Sequence, residues 1–445
     1  MENISYYEDR QAYNPLARKD SNPFASFLPA FFFYGMIFYI PFFEWRQFGG
    51  VKMDWVLMGG VLFFIFANLF YVRKKAATLS SPLNILFLLF FVVNILATLF
   101  TPYYTEAIAG LVTLVLAFVF ITVSNLMITD RGYQVTLPVV VCLSISLNAL
   151  LAVIGYYLGL GVFLEGGEER GLGGTYTAND AAYMCLFLLP LLVHGLAYAQ
   201  SRFVKFSCFL LILLNIFGVI TTHSRGGFLG MILILAFLAW RHRHFMTPKR
   251  FGVVFMLTCL VAVTVIASVP QAYVDRLLTL KKGVSMESDT AMQRRSRYIV
   301  VAFDSFKNNP ILGTGTDTFG TVWQYSKEAI KFKMSSRDAH NTYLEVLVGS
   351  GLLGLVLFFV IIVKSYRNFV HAERIFARIG NNKIAALTGA YKLSFVVALI
   401  YLMVKSGIDF KLFLLSISVS HLAMLYAREH SARHESVSDE ERIVV

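Results

Sequence analysis

Three short polar runs interrupt an otherwise apolar chain, and each contains a group suited to binding or activating a substrate. The first spans Thr222 to Gly227 and contains Arg225. A helix that begins there would present free N–H groups and the positive end of its dipole, and Arg225 would complete an anion site. The two following glycines, Gly226 and Gly227, let a ligand approach the backbone. The alternative is an interfacial arginine that reaches the lipid headgroups.

The second run, Gln293 to Arg297, opens a predicted amphipathic helix. At roughly 100° per residue, one face of that helix is apolar and consists of Ile299, Ala302, Phe303 and Phe306. Arg295 lies on this face, four residues before Ile299, whereas Arg294 and Arg297 project to the other side. The pattern predicts that Arg295 points toward the protein and a buried anion. A first-turn arginine that covers the edge of the apolar stripe is the alternative.

The third run, Arg337 to Tyr343, contains His340. The ordinary pKa of histidine lies near neutral pH, so His340 could act as a general base. Asn341 and Tyr343 would then orient or bind the acceptor. A purely structural histidine at the membrane interface remains the alternative.

A weaker cluster runs from Arg170 to Asp180. Its glycines indicate a tight loop over the mouth of a bundle, where Arg170 would be a further anion ligand and Asn179 a substrate-binding residue; a flexible outer loop is the alternative. Lys405 and Asp409 are four residues apart, which predicts a structural ion pair on one helix face.

No metal site or cofactor is predicted. The run from Arg241 to His244 resembles a metal site only in composition, and its basic residues suit a cytoplasmic loop. The four cysteines lie in apolar segments without a CxxC spacing, so they are expected to be small core residues.

The elements that position these groups must be membrane helices. Of 445 residues, 57% are hydrophobic and only 15% are charged, against about 25% in soluble domains. A span needs roughly 20 apolar residues, and about twelve segments fit. They lie near 24–43, 54–72, 83–101, 104–128, 134–160, 180–200, 203–222, 225–240, 251–270, 341–363, 384–405 and 409–426. The expected fold class is an all-α polytopic membrane bundle.

Lys and Arg placement predicts that both termini are cytoplasmic, because short cytoplasmic loops are rich in positive charge. The expected order is a cytoplasmic N-tail (1–23), a bundle of about nine helices (24–270) and a large extracytoplasmic catalytic loop (271–340). About three more helices (341–426) and a disordered cytoplasmic tail (427–445) follow. Two amphipathic helices, 290–308 and 319–334, are predicted in the loop. The net charge of +12 follows from topology and gives no support for nucleic-acid binding.

Three strings in this order resemble the O-antigen ligase and Wzy-type polysaccharide polymerase superfamily. They are Ser224-Arg225-Gly226-Gly227; Arg295 and Ala302 ahead of Asn309-Pro310-Ile311-Leu312-Gly313-Thr314-Gly315; and His340-Asn341-Thr342-Tyr343-Leu344 followed by Gly351-Leu352-Leu353-Gly354. The resemblance covers roughly residues 170 to 363. The chain has Gly349 where the superfamily usually has an acidic residue, and Ile299 where it usually has tryptophan.

The resemblance implies transfer of a glycan from undecaprenyl diphosphate to a glycan, lipid or protein acceptor. The reaction would occur at the outer face of the bacterial cytoplasmic membrane, without metal or nucleotide sugar. Arg225 and Arg295 would bind the diphosphate, and His340 would activate or position the acceptor hydroxyl. Guanidinium forks suit phosphate oxygens on independent physical grounds. Ligase and polymerase both fit, and the alternative class is a transporter or flippase of lipid-linked sugars.

Overall fold

The computed structural model describes residues 27–42, 47–48, 51–68, 81–165, 170–241, 290–332 and 335–443. These residues are almost entirely helical, with one short antiparallel pairing of β1 (Gln47–Phe48) and β2 (Val51–Lys52). The prediction of an all-α membrane bundle is confirmed as a fold class.

Fourteen α-helices and one 3-10 helix, Gly161–Phe163, occur in the described residues. The α-helices are α1 (Phe27–Phe38), α2 (Met53–Ala67), α3 (Pro82–Leu99), α4 (Tyr104–Met127), α5 (Gly132–Leu158), α6 (Ala178–Tyr198), α7 (Arg202–Thr221), α8 (Arg225–Arg241), α9 (Thr290–Asn308), α10 (Phe319–Gln324), α11 (Lys327–Phe332), α12 (Thr342–Arg378), α13 (Asn382–Tyr401) and α14 (Lys411–Ile443). The first turn of α5, Gly132–Thr136, is π-helical.

Seven of the described helices, α3 to α7, α12 and α13, are long and apolar enough to cross a membrane. The predicted total of twelve spans is not confirmed. Helices α1, α2 and α8 contain only 12, 15 and 17 residues, and α14 is less apolar than the seven. The predicted span 251–270 lies outside the described residues.

Helices α6 and α13 form the centre of the bundle. The buried share of the spanning window is 67% in each, against 22% in α7, which lies at the periphery. Helix α6 begins with a capping box in which Thr177 and Asp180 bond each other's backbone N–H groups. Exposed apolar residues such as Phe203 and Leu158 suit a lipid environment, where helices satisfy their own backbone groups.

The predicted amphipathic helices are reproduced in part. Helix α9 has the predicted bounds, 290–308, whereas the second prediction, 319–334, divides into α10 and α11. Ser326 explains the division, because its Oγ accepts a hydrogen bond from the Ala329 N–H at 3.1 Å and so caps α11. The prediction of one continuous helix there was wrong.

The C-terminal tail is also helical where disorder was predicted. Helix α14 continues through 427–443 as far as Ile443. Glu and Arg favour helix, and the hydroxyl of Ser431 bonds Glu435 one turn further on at 3.2 Å. His430 Nε2 lies 3.0 Å from Asp130 Oδ2, which ties this extension to the start of α5.

Helix α12 is interrupted at Gly351, whose φ of 62° and ψ of −160° are not helical. A turn formed by residues 310–315 fills the interruption. The N–H groups of Thr314 and Gly315 donate to the carbonyls of Val348 and Gly349, each at 2.8 Å. The Leu352 N–H donates to the Pro310 carbonyl at 2.9 Å. Two of the strings noted in the sequence thus satisfy each other's backbone groups.

Gly313→Ala should destabilise the fold. Gly313 has a φ of 72°, and an added Cβ would collide with the Val348 carbonyl oxygen. Gly59→Ala is the matched control, because an added Cβ there meets no described atom within 4 Å, and alanine stabilises a helix interior by about 0.5–1 kcal/mol relative to glycine. Thermal unfolding in detergent should show a lower Tm for Gly313→Ala only. Equal Tm values for the two variants would contradict this packing.

Candidate active site

A cavity of about 630 Å³ opens where the first turns of α6 and α12 and the N-terminal half of α9 meet two loops. The His340 loop comprises residues 335–341, and the Lys405 loop comprises residues 402–410, between α13 and α14. Four of the seven predicted site residues line the cavity. They are Arg170, Asn179, Arg295 and His340.

His340 has an unusual backbone, with φ at 47°, and its N–H donates to Ser406 Oγ at 2.9 Å. Partial burial lowers the pKa of His340 below its ordinary value; Asp338 opposes this shift, and Arg295 and other nearby cations add to it. Neutral imidazole therefore predominates at neutral pH, and this is the form that a general base requires.

Arg295 lies on the same side of α9 as the buried Tyr298, although Arg295 itself is exposed, and the buried face of α9 differs from the predicted one. Tyr298 and Ala302 are buried, whereas Ile299 and Phe303 are 45% and 48% exposed. The buried face is rotated from the predicted one because the Tyr298 ring packs edge-on against the Trp323 ring, with 4.7 Å between the ring centroids. Arg295 is three residues before Tyr298 and so stays on the same side.

The two arginines of the second run have different partners. Arg297 forms an ion pair of 2.5 Å with Glu328 on α11. No ion pair or hydrogen bond of Arg295 occurs within the described residues, and its side chain lines the cavity. The guanidinium of Arg295 is thus available to an anion.

Arg170 lines the cavity but already has two partners. Its Nη1 lies 2.7 Å from Glu165 Oε2, and its Nε donates to the Thr222 carbonyl at 3.0 Å. These contacts fasten its loop to the end of α7. The alternative of a flexible outer loop does not hold at Arg170, which is fastened to the bundle.

Arg225 is the first residue of α8 and is not among the described cavity-lining residues. The run around it reaches the cavity through Ser224, whose hydroxyl donates to Asn179 Oδ1 at 2.7 Å. Ser224 Oγ also accepts from the Gly227 N–H at 3.1 Å and so caps α8. A donor-binding role for Arg225 stays a prediction.

Asn341 and Tyr343 do not line the cavity among the described residues. Asn341 is the N-cap of α12, where its Oδ1 accepts from the N–H groups of Tyr343 and Leu344. The Tyr343 hydroxyl donates to the Leu399 carbonyl at 3.0 Å. These contacts fix the start of α12 and favour structural roles over the predicted substrate contact.

Lys405 pairs with Asp180 at 3.4 Å, so the predicted pairing with Asp409 was wrong. Residues 402–410 are not helical, and the four-residue spacing therefore does not bring Lys405 and Asp409 together. Asp180 is 2% exposed and also accepts hydrogen bonds from the Tyr401 hydroxyl and the Thr177 N–H. The spacing of Thr177 and Asp180, which is typical of a capping box, is the sequence pattern that could have indicated a structural role for Asp180.

Lys405→Met should destabilise the protein by about 3 kcal/mol, because Asp180 would remain buried without its cation. Lys307→Met is the matched control, since Lys307 pairs with Asp304 on an exposed surface, where a pair contributes about 0–1 kcal/mol. The free energy of unfolding in detergent tests the difference. Equal losses for the two variants would contradict the importance of the buried pair.

Carboxylates that sequence reasoning did not select also line the cavity. Burial, followed by the charges of Asp338 and Asp409, raises the pKa of Asp317 to about 6. No described group of three His, Cys, Asp or Glu residues is placed to hold a metal ion. The cavity therefore combines cations with carboxylates, which can accept hydrogen bonds from hydroxyl groups.

Comparison with known proteins matches residues 208–359 to the family described as O-Antigen ligase. A Haemophilus influenzae protein, described only as uncharacterized, is 22% identical over 202 residues. That alignment covers 43% of this chain and 50% of the relative, so the chain spans about half the length of the curated relative it matches. The family match contains Arg225, Arg295 and His340, and it confirms the resemblance. The match over residues 208–359 thus supports an O-antigen ligase-related family for this part of the chain.

Proposed function

We propose that the protein is an integral-membrane glycosyltransferase of the bacterial cytoplasmic membrane. It moves a glycan from undecaprenyl diphosphate to an acceptor hydroxyl at the outer face. The observation that carries the proposal is the meeting of Arg295, without a described partner, and neutral His340 in one cavity. The family match supports a ligase-like or polymerase-like reaction.

The proposed reaction is a displacement at the anomeric carbon of the donor glycan. The acceptor oxygen forms a bond to this carbon, and the bond between the carbon and the diphosphate oxygen breaks. His340 accepts the proton of the acceptor hydroxyl. The departing diphosphate gains negative charge, which the Arg295 guanidinium stabilises through paired N–H bonds.

Other groups in the cavity suit a glycan. Asp317 and Asp338 offer carboxylate oxygens to sugar hydroxyls. The ring of Tyr176 lines the cavity, and this residue is 69% exposed, so the ring is open to packing against a sugar face. Polymerase and ligase share this donor chemistry and differ in the acceptor.

Reconstitution of the purified protein in liposomes tests the proposal. The liposomes contain undecaprenyl-diphosphate-linked glycan and a candidate acceptor, and the glycan is then analysed by gel and mass spectrometry. A transferase changes the glycan: a polymerase lengthens it on the carrier, and a ligase moves it to another acceptor. Movement of unchanged glycan between leaflets would instead indicate a flippase and contradict the proposal.

A further inference from the structure

We propose that Glu345 and Ser406 are positioning residues that hold His340 in its reactive orientation. This inference rests on the proposed function, because it assigns His340 the task of receiving the acceptor proton. Neither residue was selected from the sequence, and Ser406 lies outside the region matched to the family, 208–359.

Glu345 joins the two loops that form one side of the cavity. It lies in the first turn of α12, five residues after His340. Its Oε1 accepts from the Ala339 N–H of the His340 loop at 3.1 Å, and its Oε2 accepts from the Gly407 N–H of the Lys405 loop at 2.6 Å. The Ser406 hydroxyl also faces the Glu345 carboxylate and can donate to it. One carboxylate thus receives a backbone hydrogen bond from each of two loops and faces a third donor.

These bonds close a ring around His340. The Ala339 N–H donates to Glu345, the Ser406 hydroxyl faces the Glu345 carboxylate, and Ser406 Oγ accepts from the His340 N–H at 2.9 Å. His340 needs such support, because its φ of 47° lies in the left-handed region, which residues other than glycine rarely occupy. A backbone of this kind persists only where its surroundings determine it.

A carboxylate suits this position better than an amide of the same shape. Both carboxyl oxygens of glutamate can accept hydrogen bonds, and all three groups that face Glu345 are donors. Glutamine would turn an NH₂ group toward at least one of those donors. Glu345→Gln therefore weakens the ring while preserving side-chain volume.

The Lys405 loop makes other hydrogen bonds to α12, which Glu345→Gln does not remove. The Thr342 hydroxyl donates to the carbonyls of Lys405 and Gly407, at 2.7 and 3.0 Å. The Thr342 N–H donates to the Leu402 carbonyl at 2.9 Å. The loop thus stays attached to α12, and the loss from Glu345→Gln should be confined to the alignment of His340.

Steady-state glycan transfer by the full-length protein in liposomes tests the proposal. Glu345→Gln should lower kcat by about 10- to 100-fold through misplacement of the imidazole, with the donor KM unchanged. Ser406→Ala should lower kcat by a smaller factor, because Glu345 still bonds Ala339. Asp304→Asn, an exposed acid-to-amide change on α9, is the matched control and should behave as wild type.

A wild-type kcat for Glu345→Gln would overturn the proposal. If Glu345→Gln fails to fold, Ser406→Ala decides: a lower kcat with unchanged KM supports the proposal, and a wild-type kcat overturns it. In a His340→Ala background, Glu345→Gln should cause no further loss, because residues that act as a unit are not additive. A further loss equal to that in wild type would also overturn it. Full activity of His340→Ala itself would instead refute the proposed function.

Discussion

His340→Ala is expected to lower kcat for glycan transfer by about 10²- to 10⁴-fold, the usual contribution of a general base. The variant should fold, since the described bonds that hold residue 340 use its backbone N–H and not its ring. His371→Ala is the matched control, because His371 is exposed far along α12 and does not line the cavity. Retention of wild-type kcat by a folded His340→Ala protein would refute the base assignment.

The pH profile of the wild-type enzyme gives a second measure of the same residue. A base must be deprotonated, so kcat/KM should fall as the pH drops through the pKa of His340. Burial places that pKa below the ordinary value, which is about 6.5, so activity should be retained at neutral pH. Asp338→Asn removes the group that raises this pKa and should shift the acid limb to lower pH. A shift to higher pH would contradict the electrostatics of the cavity.

The sequence predicts the helices well because their signal is local. Long apolar runs and a period of 3.6 residues predict the bounds of α9 and most spans. The break at Gly351 escapes this reasoning, since the apolar pattern continues through it. Its cause is the turn at 310–315, which supplies backbone partners from a distant part of the chain.

The candidate site is predictable only in part for the same reason. Arg295 and His340 could be selected because their surroundings resemble known strings. Ser406 was not selected and Lys405 was given the wrong partner, since a loop between two helices brings both residues to the cavity and no local pattern specifies that approach. Asn341 was predicted to orient or bind the acceptor, but its side chain caps a helix. A cap and a substrate ligand use the same residue types, so type and spacing alone do not separate them.

Arg295→Ala is expected to lower kcat by about 10²- to 10³-fold, as removal of one donor to a developing charge does elsewhere. In the proposed reaction, charge develops on the departing diphosphate, so kcat should fall more than donor affinity. Arg295→Lys should recover only part of the loss, because an ammonium keeps the charge without the planar fork. Mass-spectrometric quantification of transferred glycan at varied donor concentration measures both parameters.

The neighbouring Arg297→Ala variant makes this prediction specific. Both arginines lie in the first turns of α9, but Arg297 pairs with Glu328 on α11 while Arg295 lines the cavity. Loss of an exposed or half-buried pair should change stability by about 1 kcal/mol or less and leave kcat near that of wild type. Equal losses of kcat in the two variants would mean that net positive charge, rather than a directed guanidinium, drives donor turnover. A loss confined to Arg295→Ala would show that the guanidinium must point into the cavity, because the two substitutions remove the same charge two residues apart.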